Sequence, residues 1–243
     1  MKGAVSWVAA AILAAGLIAG GASVGRGLAG FRTADRFVTV KGLAEREVLA
    51  DVALWPLRFS ATHDDLAQAQ ARIRRSQEAI LGFLGRQGVE MSQVELQNLE
   101  VTDLLANPWR SPGPIESRFI IRQTLMVRTN EPEKIERAGQ AVGELVEAGV
   151  VLTSEGGPSL GPTYLFTRLN DLKPEMIREA TANARRAAEQ FAHDSGSRVG
   201  RIRQANQGAF VILARDQAPG VTEEGQRRKT VRVVSTIEFF LED

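Results

Sequence analysis

The sequence predicts an α+β fold: antiparallel sheets with three amphipathic helices packed on them, preceded by one N-terminal transmembrane or signal helix. Three observations carry this. An uncharged run opens the chain, three later stretches repeat apolar residues at three- and four-residue spacing between recognisable start and stop signals, and other stretches alternate apolar with polar residues. The organisation that follows is an N-terminal membrane or signal segment over 1–30 and an α+β domain over 31–243. A hydrophobic content of 44% against 24% charged belongs to a folded chain with enough apolar surface for a core, which sets disorder aside.

From Gly3 to Gly25 there is no charge, and about 23 residues at ~1.5 Å each give a helix of roughly 34 Å, enough to cross a ~30 Å hydrocarbon layer. Lys2 precedes this run and Arg26 and Arg32 follow it, so flanking charge leaves its orientation open. Gly20-Gly21-Ala22-Ser23 offers the small residues of a signal cleavage site, yet the run is longer than a usual signal core and lacks a polar end, which favours an uncleaved anchor. Either way the rest of the chain is exported. The expected location is the inner membrane, single-pass, with the C-terminal domain in the periplasm; the alternative is a soluble periplasmic protein after cleavage. Gly16 with Gly20 and Gly21 with Gly25 form two small-residue pairs at four-residue spacing, candidates for helix packing in lipid.

Beyond it, Phe37 to Phe59 alternates like a strand. Ala53, Trp55, Leu57, Phe59 and Ala61 share one face, and Pro56, which has no amide hydrogen, places the segment from Val52 to Phe59 at a sheet edge or bulge. The first helix runs from about Asp65 to Gln87, with Leu66, Ala69, Ile73, Ile80 and Leu84 inward, acids at its start and Gly88 as its stop. Arg118 to Arg128 alternates again, with Phe119, Ile121, Leu125 and Val127 on the covered face. The second helix spans about Glu131 to Ala148, with Pro132 in its first turn, Ile135, Ala138, Val142, Leu145 and Val146 on one side, and Gly149 at its end. The third spans about Leu172 to Ser195 with Asp171 as its cap; its stripe is Met176, Ile177, Ala180, Ala184, Ala187, Ala188 and Phe191. A final alternating strand closes the chain from Thr230 to Glu242. Composition marks 106–114, 155–162 and 217–229 as loops, the last polar and mobile. Half-covered alternation of this kind belongs to antiparallel sheets.

Chemistry is sparse. Lys and Arg number 30 against 29 Asp and Glu, so no global field draws the chain to nucleic acid. The Arg72/Arg74/Arg75 and Arg185/Arg186 clusters read as solvated helix faces. With no cysteine, thiol catalysis, disulfides and Cys-ligated zinc are excluded. His63 sits among helix-capping acids and His193 in the last turn of a helix, where a cation suits the dipole. The acids Glu45, Glu47 and Asp51 read as the solvent face of a strand or turn. The Gly156 to Pro162 stretch is glycine-rich but lacks the endings of phosphate- and dinucleotide-binding loops. No catalytic residue, cofactor or metal is therefore assigned. Trp55, Pro56 and Trp109 are the candidate interface residues, Trp109 because a tryptophan on a proline-rich loop suits an interface anchor.

The succession VTVKGLAEREVLADVALW, an amphipathic helix, RFIIRQTLMVRT, and EATANARRAAEQFAHDSG followed by VGRI resembles the SIMPL-domain family of bacterial envelope proteins from about Phe37 to Asp243. Val40-Lys41-Gly42 with Ala50-Asp51, and the helix Ala180 to Gly196 leading into Val199-Gly200, carry the match. Where the family has Gly-x-Gly, this chain has Gly42-Leu43-Ala44. The resemblance implies an exported α+β domain with oligomeric and sometimes channel-like character and no defined catalytic residues. The expected function is thus a membrane-tethered, periplasm-facing oligomeric interaction or scaffold protein of the cell envelope, with a role in stress tolerance implied by the resemblance alone, and with a homo-oligomer and the membrane as partners. A small-ligand-binding or hydrolytic envelope protein and an oligomeric channel-like assembly are the alternatives.

Overall fold

The computed structural model describes residues 16–18, 20–22, 36–106, 116–154 and 161–242. Most of the uncharged run and the whole of Trp109's loop from 107 to 115 lie outside these residues, as does Gly25. Gly16, Gly20 and Gly21 fall in described helical residues, with open space where a Cβ would stand. Among the described residues no helix is long and apolar enough to cross a membrane.

The chain forms two compact units, each assembled from separated segments. The first takes its described residues from Met1–Glu45, Lys173–Val211 and Arg232–Asp243. Its sheet has the order β1-β9-β7, built from β1 (Phe37–Leu49), β9 (Arg228–Glu242) and β7 (Arg198–Gln207), with β7 and β9 antiparallel. The long helix α4 (Leu169–Asp194) supplies the other layer. Its buried residues are Met176 and then four alanines, Ala180, Ala184, Ala188 and Ala192. Small side chains let a helix backbone approach a sheet, and β1 answers with Gly42: a Cβ there would stand 1.8 Å from the Ala180 carbonyl oxygen. Val40, Ala184, Ala188, Ile237 and Phe239 form the core of this unit.

The second unit, Arg46–Leu172 with Ile212–Val231, has a five-stranded sheet. Its strands are β3 (Val94–Asp103), β4 (Phe119–Thr129), β2 (Val52–His63) and β5 (Val151–Leu152) in the order β3-β4-β2-β5, with β6 (Thr163–Leu165) also on β2. Helix α1 (Leu66–Arg86) forms as its periodicity requires, burying Ala69, Ile73, Ile80, Phe83 and Leu84. Asp65 is its cap, accepting from the Gln68 N–H at 2.9 Å, and Gly88 ends it at φ +78°. Leu66, on the same stripe, stays 44% exposed because it opens the helix before the layers close. The core runs from Trp55, Leu57 and Phe59 through Ile73, Phe83 and Leu84 to Ile121, Leu125, Ile135 and Leu145.

The segment from Val52 to Phe59 is no edge: β4 pairs with β2 from Ala53 to His63 on one side, and β6 (52–54) and β5 (59–60) pair on the other. Arg58 accepts from the Thr153 N–H at 2.9 Å, so the even-numbered residues of β2 turn their backbone polar groups toward β5 and β6. Pro56 does so in the interval between those two short strands, where a missing donor disturbs no ladder.

The second predicted helix is two, α2 (Pro132–Gln140) and α3 (Gly143–Glu147). The bonds from Ala141 N–H to Ala138 O, Val142 to Gly139 and Glu144 to Ala141 tighten the chain to a three-residue repeat there, beside Gly139 and Gly143. Val146 ends up 61% exposed.

Helix α4 starts at Leu169, three residues early, so Pro174 lies inside it. Phe191, placed inward by periodicity, is 61% exposed near the helix end. Finally, the 217–229 stretch is anchored: Lys229, fully buried within β9, donates to the Glu223 carbonyl at 2.7 Å and pairs with the Glu223 carboxylate, and Arg227 pairs with Glu133 and Glu136 at 2.8 and 3.0 Å. A buried ammonium keeps its charge only against such partners.

Asp51 is not a solvent-face acid. Its carboxylate accepts from the Thr167 N–H and Oγ1–H, both at 2.7 Å, tying the start of β2 to the turn before α4. Burial pushes its pKa up, but the Thr167 bonds, its own backbone N–H and the Arg168 charge outweigh this and hold it below 3.8. A depressed carboxyl contributes stability that is fully present above its unfolded pKa and lost as pH falls through the folded value. Asp51→Ala should therefore cost about 1–2 kcal/mol at neutral pH and flatten the acid limb of the stability curve, read by urea unfolding between neutral and acid pH. Identical acid limbs would show that the Thr167 bonds carry no net energy.

Candidate interaction surface

Strand β3 ends the strand order of its sheet and pairs only with β4, so among the described residues its outer edge carries no partner strand. Its sequence, VELQNLEVTD, does not alternate cleanly. The register explains why: Leu96 stands opposite Leu125, Leu99 opposite Gln123 and Val101 opposite Ile121, with Asn98 inserted as a bulge. Asn98 has φ +31°, a positive value that asparagine tolerates better than most side chains. The extra residue restores phase, so that Leu96, Leu99 and Val101 all fall on the face shared with the core residues of β4.

Burial breaks off at that strand. Leu125 and Ile121 are covered, while Leu96, Leu99 and Val101 are 50%, 53% and 48% exposed, continued at the two ends by Met91 and Leu105. Natural sheets blunt their edges with short strands, charge or proline. β3 carries Glu95 and Glu100 on its other face, opposite Met126 and Arg122, and an apolar row on this one.

The base of the β3–β4 hairpin is fixed by charge. Arg118 grips Asp103 with three bonds of 3.1, 3.3 and 2.8 Å, and Asp103 also accepts from the Leu105 N–H at 2.9 Å. The Arg118 bond holds the Asp103 carboxyl below its ordinary value, against the opposing pull of desolvation. The Arg118 guanidinium lies 4.7 Å above the Phe119 ring.

The structure separates the interface residues named from the sequence. Trp55 is 1% exposed within the core, so its indole is not available to a partner, and Pro56 lies in the sheet interior rather than at an edge. Trp109 lies outside the described residues. The order of elements read from the sequence has two strands between the first and second helices, but it gives no residues to the first of them, β3; the signal is V-x-L-x-x-L-x-V, two alternating pairs separated by one extra residue. His63 accepts the Asp65 N–H at 2.9 Å through Nδ1, joining the cap of α1, and His193 is largely exposed with Asp194 3.4 Å away. Among the described residues no three His, Asp or Glu side chains are grouped to hold a metal. Gly161 and Pro162, from the glycine-rich stretch, border a cavity of about 180 Å³ with Trp55, Pro56, Val142 and Leu152; residues 155–160 of that stretch are outside the described set.

A family model described as SIMPL, protein of unknown function (DUF541), matches residues 38–239. The chain belongs to the SIMPL family. That match takes in residues of both units, from β1 to β9, and it carries no assigned activity. Among curated proteins, none matches the chain. In this SIMPL chain, Gly42 is the position at which α4 meets β1, and Ala44, two residues on, is buried at 1%.

Proposed function

We propose that this SIMPL protein is an oligomeric interaction protein of the cell envelope, tethered to the inner membrane by its N-terminal run, and that copies associate through the free edge of β3. The observation that carries the reading is the row Leu96, Leu99 and Val101, about half exposed on a strand whose outer edge has no partner strand among the described residues. Three apolar side chains in line on an edge favour burial against a second chain, and the backbone groups of that edge are ready donors and acceptors. The uncharged run from Gly3 to Gly25 supports the tether, its paired glycines support self-association, and the family resemblance implies oligomers. A role in stress tolerance rests on the resemblance alone.

Paired substitutions Leu99→Asp and Val101→Asp test this. Both side chains are already half in water, so unfolding midpoints should move little, whereas the detergent-extracted full chain should shift toward smaller species in sedimentation velocity. A wild-type chain that sediments as a monomer at every concentration, or an assembly unchanged by the two aspartates, would refute association through β3.

A further inference from the structure

Away from β3, the second unit holds a cleft of about 450 Å³ bordered by helix α1, the far end of β2 and the corner between α3 and β5. Arg72, Arg75 and Ser76 line it from the helix, and their spacing of three and four residues puts them on one helical face. Ser60 and Thr62 line it from β2, and Val151 faces it from β5. None of the residues bordering it is acidic.

The two arginines are unneutralised. Arg72 donates to the Thr62 carbonyl at 3.1 Å and Arg75 to the Ala71 carbonyl of its own helix at 3.5 Å; among the described residues neither pairs with a carboxylate. Their neighbour Arg74 does not border the cleft. The strand edge contributes as well. β5 pairs with β2 only at Phe59 and Ser60, so among the described residues no strand pairs with this side of β2 beyond Ser60. The Thr62 carbonyl points out of that edge toward Arg72, and a residue's N–H and C=O leave a strand on the same side, so the Thr62 N–H is aimed there too.

From this convergence of guanidinium, hydroxyl-bearing and strand-edge donors, we infer that the cleft binds the phosphate group of a phosphate monoester. A carboxylate, with two oxygens, is satisfied by one guanidinium fork; two guanidinium groups and an outward strand N–H on one cleft suit a dianion with three terminal oxygens. The volume lies within the ~300–1,000 Å³ of small-molecule sites and leaves room for a body beyond the phosphate. Val151, 58% exposed on the opposite wall, gives that body an apolar surface. The same group occurs on free phosphorylated metabolites and on lipid headgroups of the phosphatidic acid kind, and the cleft chemistry is common to both.

Calorimetric titration of the full chain in mild detergent tests the site with two probes, glycerol phosphate and a short-chain phosphatidic acid. At least one should bind, more weakly as sodium chloride rises because the arginines are exposed. Tighter binding of the first assigns the site to free esters and of the second to lipid. Arg72→Gln with Arg75→Gln should weaken binding by about tenfold or more, and Val151→Phe, which narrows the cleft without changing charge, should also weaken it. Arg74→Gln should leave it unchanged. The inference fails if neither probe binds at millimolar concentration, or if Arg74→Gln weakens binding as much as the cleft pair.

Discussion

Gly42→Ala should cost the protein more than about 3 kcal/mol, the upper end of what overpacking exacts, because the atoms in the way are backbone. A methyl at this position would stand 1.8 Å from the Ala180 carbonyl oxygen, 2.7 Å from the Ala184 nitrogen and 2.8 Å from the Ala184 Cβ. Ordinary contact begins near 3.4 Å. Side chains can turn aside from a new methyl, whereas a helix backbone moves only by lifting the helix, and α4 is held by the buried row Met176, Ala180, Ala184, Ala188 and Ala192. Lifting it opens the small core of Val40, Ile237 and Phe239 to water. Removing the neighbouring methyl should not help: Ala184→Gly leaves the closest contact, with the Ala180 carbonyl, untouched. Hydrogen exchange should show protection lost in β1 around residues 40–44 and along α4. A Gly42→Ala protein within about 1 kcal/mol of wild type by urea unfolding would mean that α4 is free to shift against β1.

That contact shows what a single sequence can and cannot reveal. The alanine stripe of α4 is readable from its spacing, and α1 with its Asp65 cap and Gly88 stop follows from periodicity and local chemistry alone. Long alternation likewise reveals β4 and β9, since both keep one face covered throughout. Local pattern does not report which strand an all-alanine face will touch, so the constraint at Gly42 needed the tertiary structure. The same limit hid the two functional candidates. In β3 one bulged residue cancels the alternation that would have announced a strand. In α1 a run of three arginines looks like a solvated face, and only the position of β2 and the α3–β5 corner distinguishes Arg72 and Arg75 from Arg74. Lys229 looked like the end of a mobile loop because its partner, Glu223, comes back to it only when residues between them fold over.

Trp55→Ala should lower stability by about 3–5 kcal/mol while leaving assembly as it is. The sequence allows two roles for this tryptophan, packing in the core beside Leu57 and Phe59 or anchoring an interface. β2 is flanked on both sides, and Trp55 lies opposite Val127 on the covered face with Leu57 and Phe59, at 1%, 3% and 0% exposure. Removing the indole leaves a void in a core that also holds Ile73, Phe83, Ile135 and Leu145, whose backbones are fixed in helices, so the site collapses only in part. The loss therefore falls on the folding equilibrium, and Trp55→Phe should recover part of it by refilling some of the volume. Sedimentation of the folded Trp55→Ala chain in detergent should match wild type, in contrast to the paired aspartates on β3, which should dissociate the assembly with little change in unfolding. The two variants thus exchange readouts. If Trp55→Ala instead disperses the oligomer while its unfolding midpoint stays near wild type, the association surface runs through β2 and the assignment to β3 is wrong.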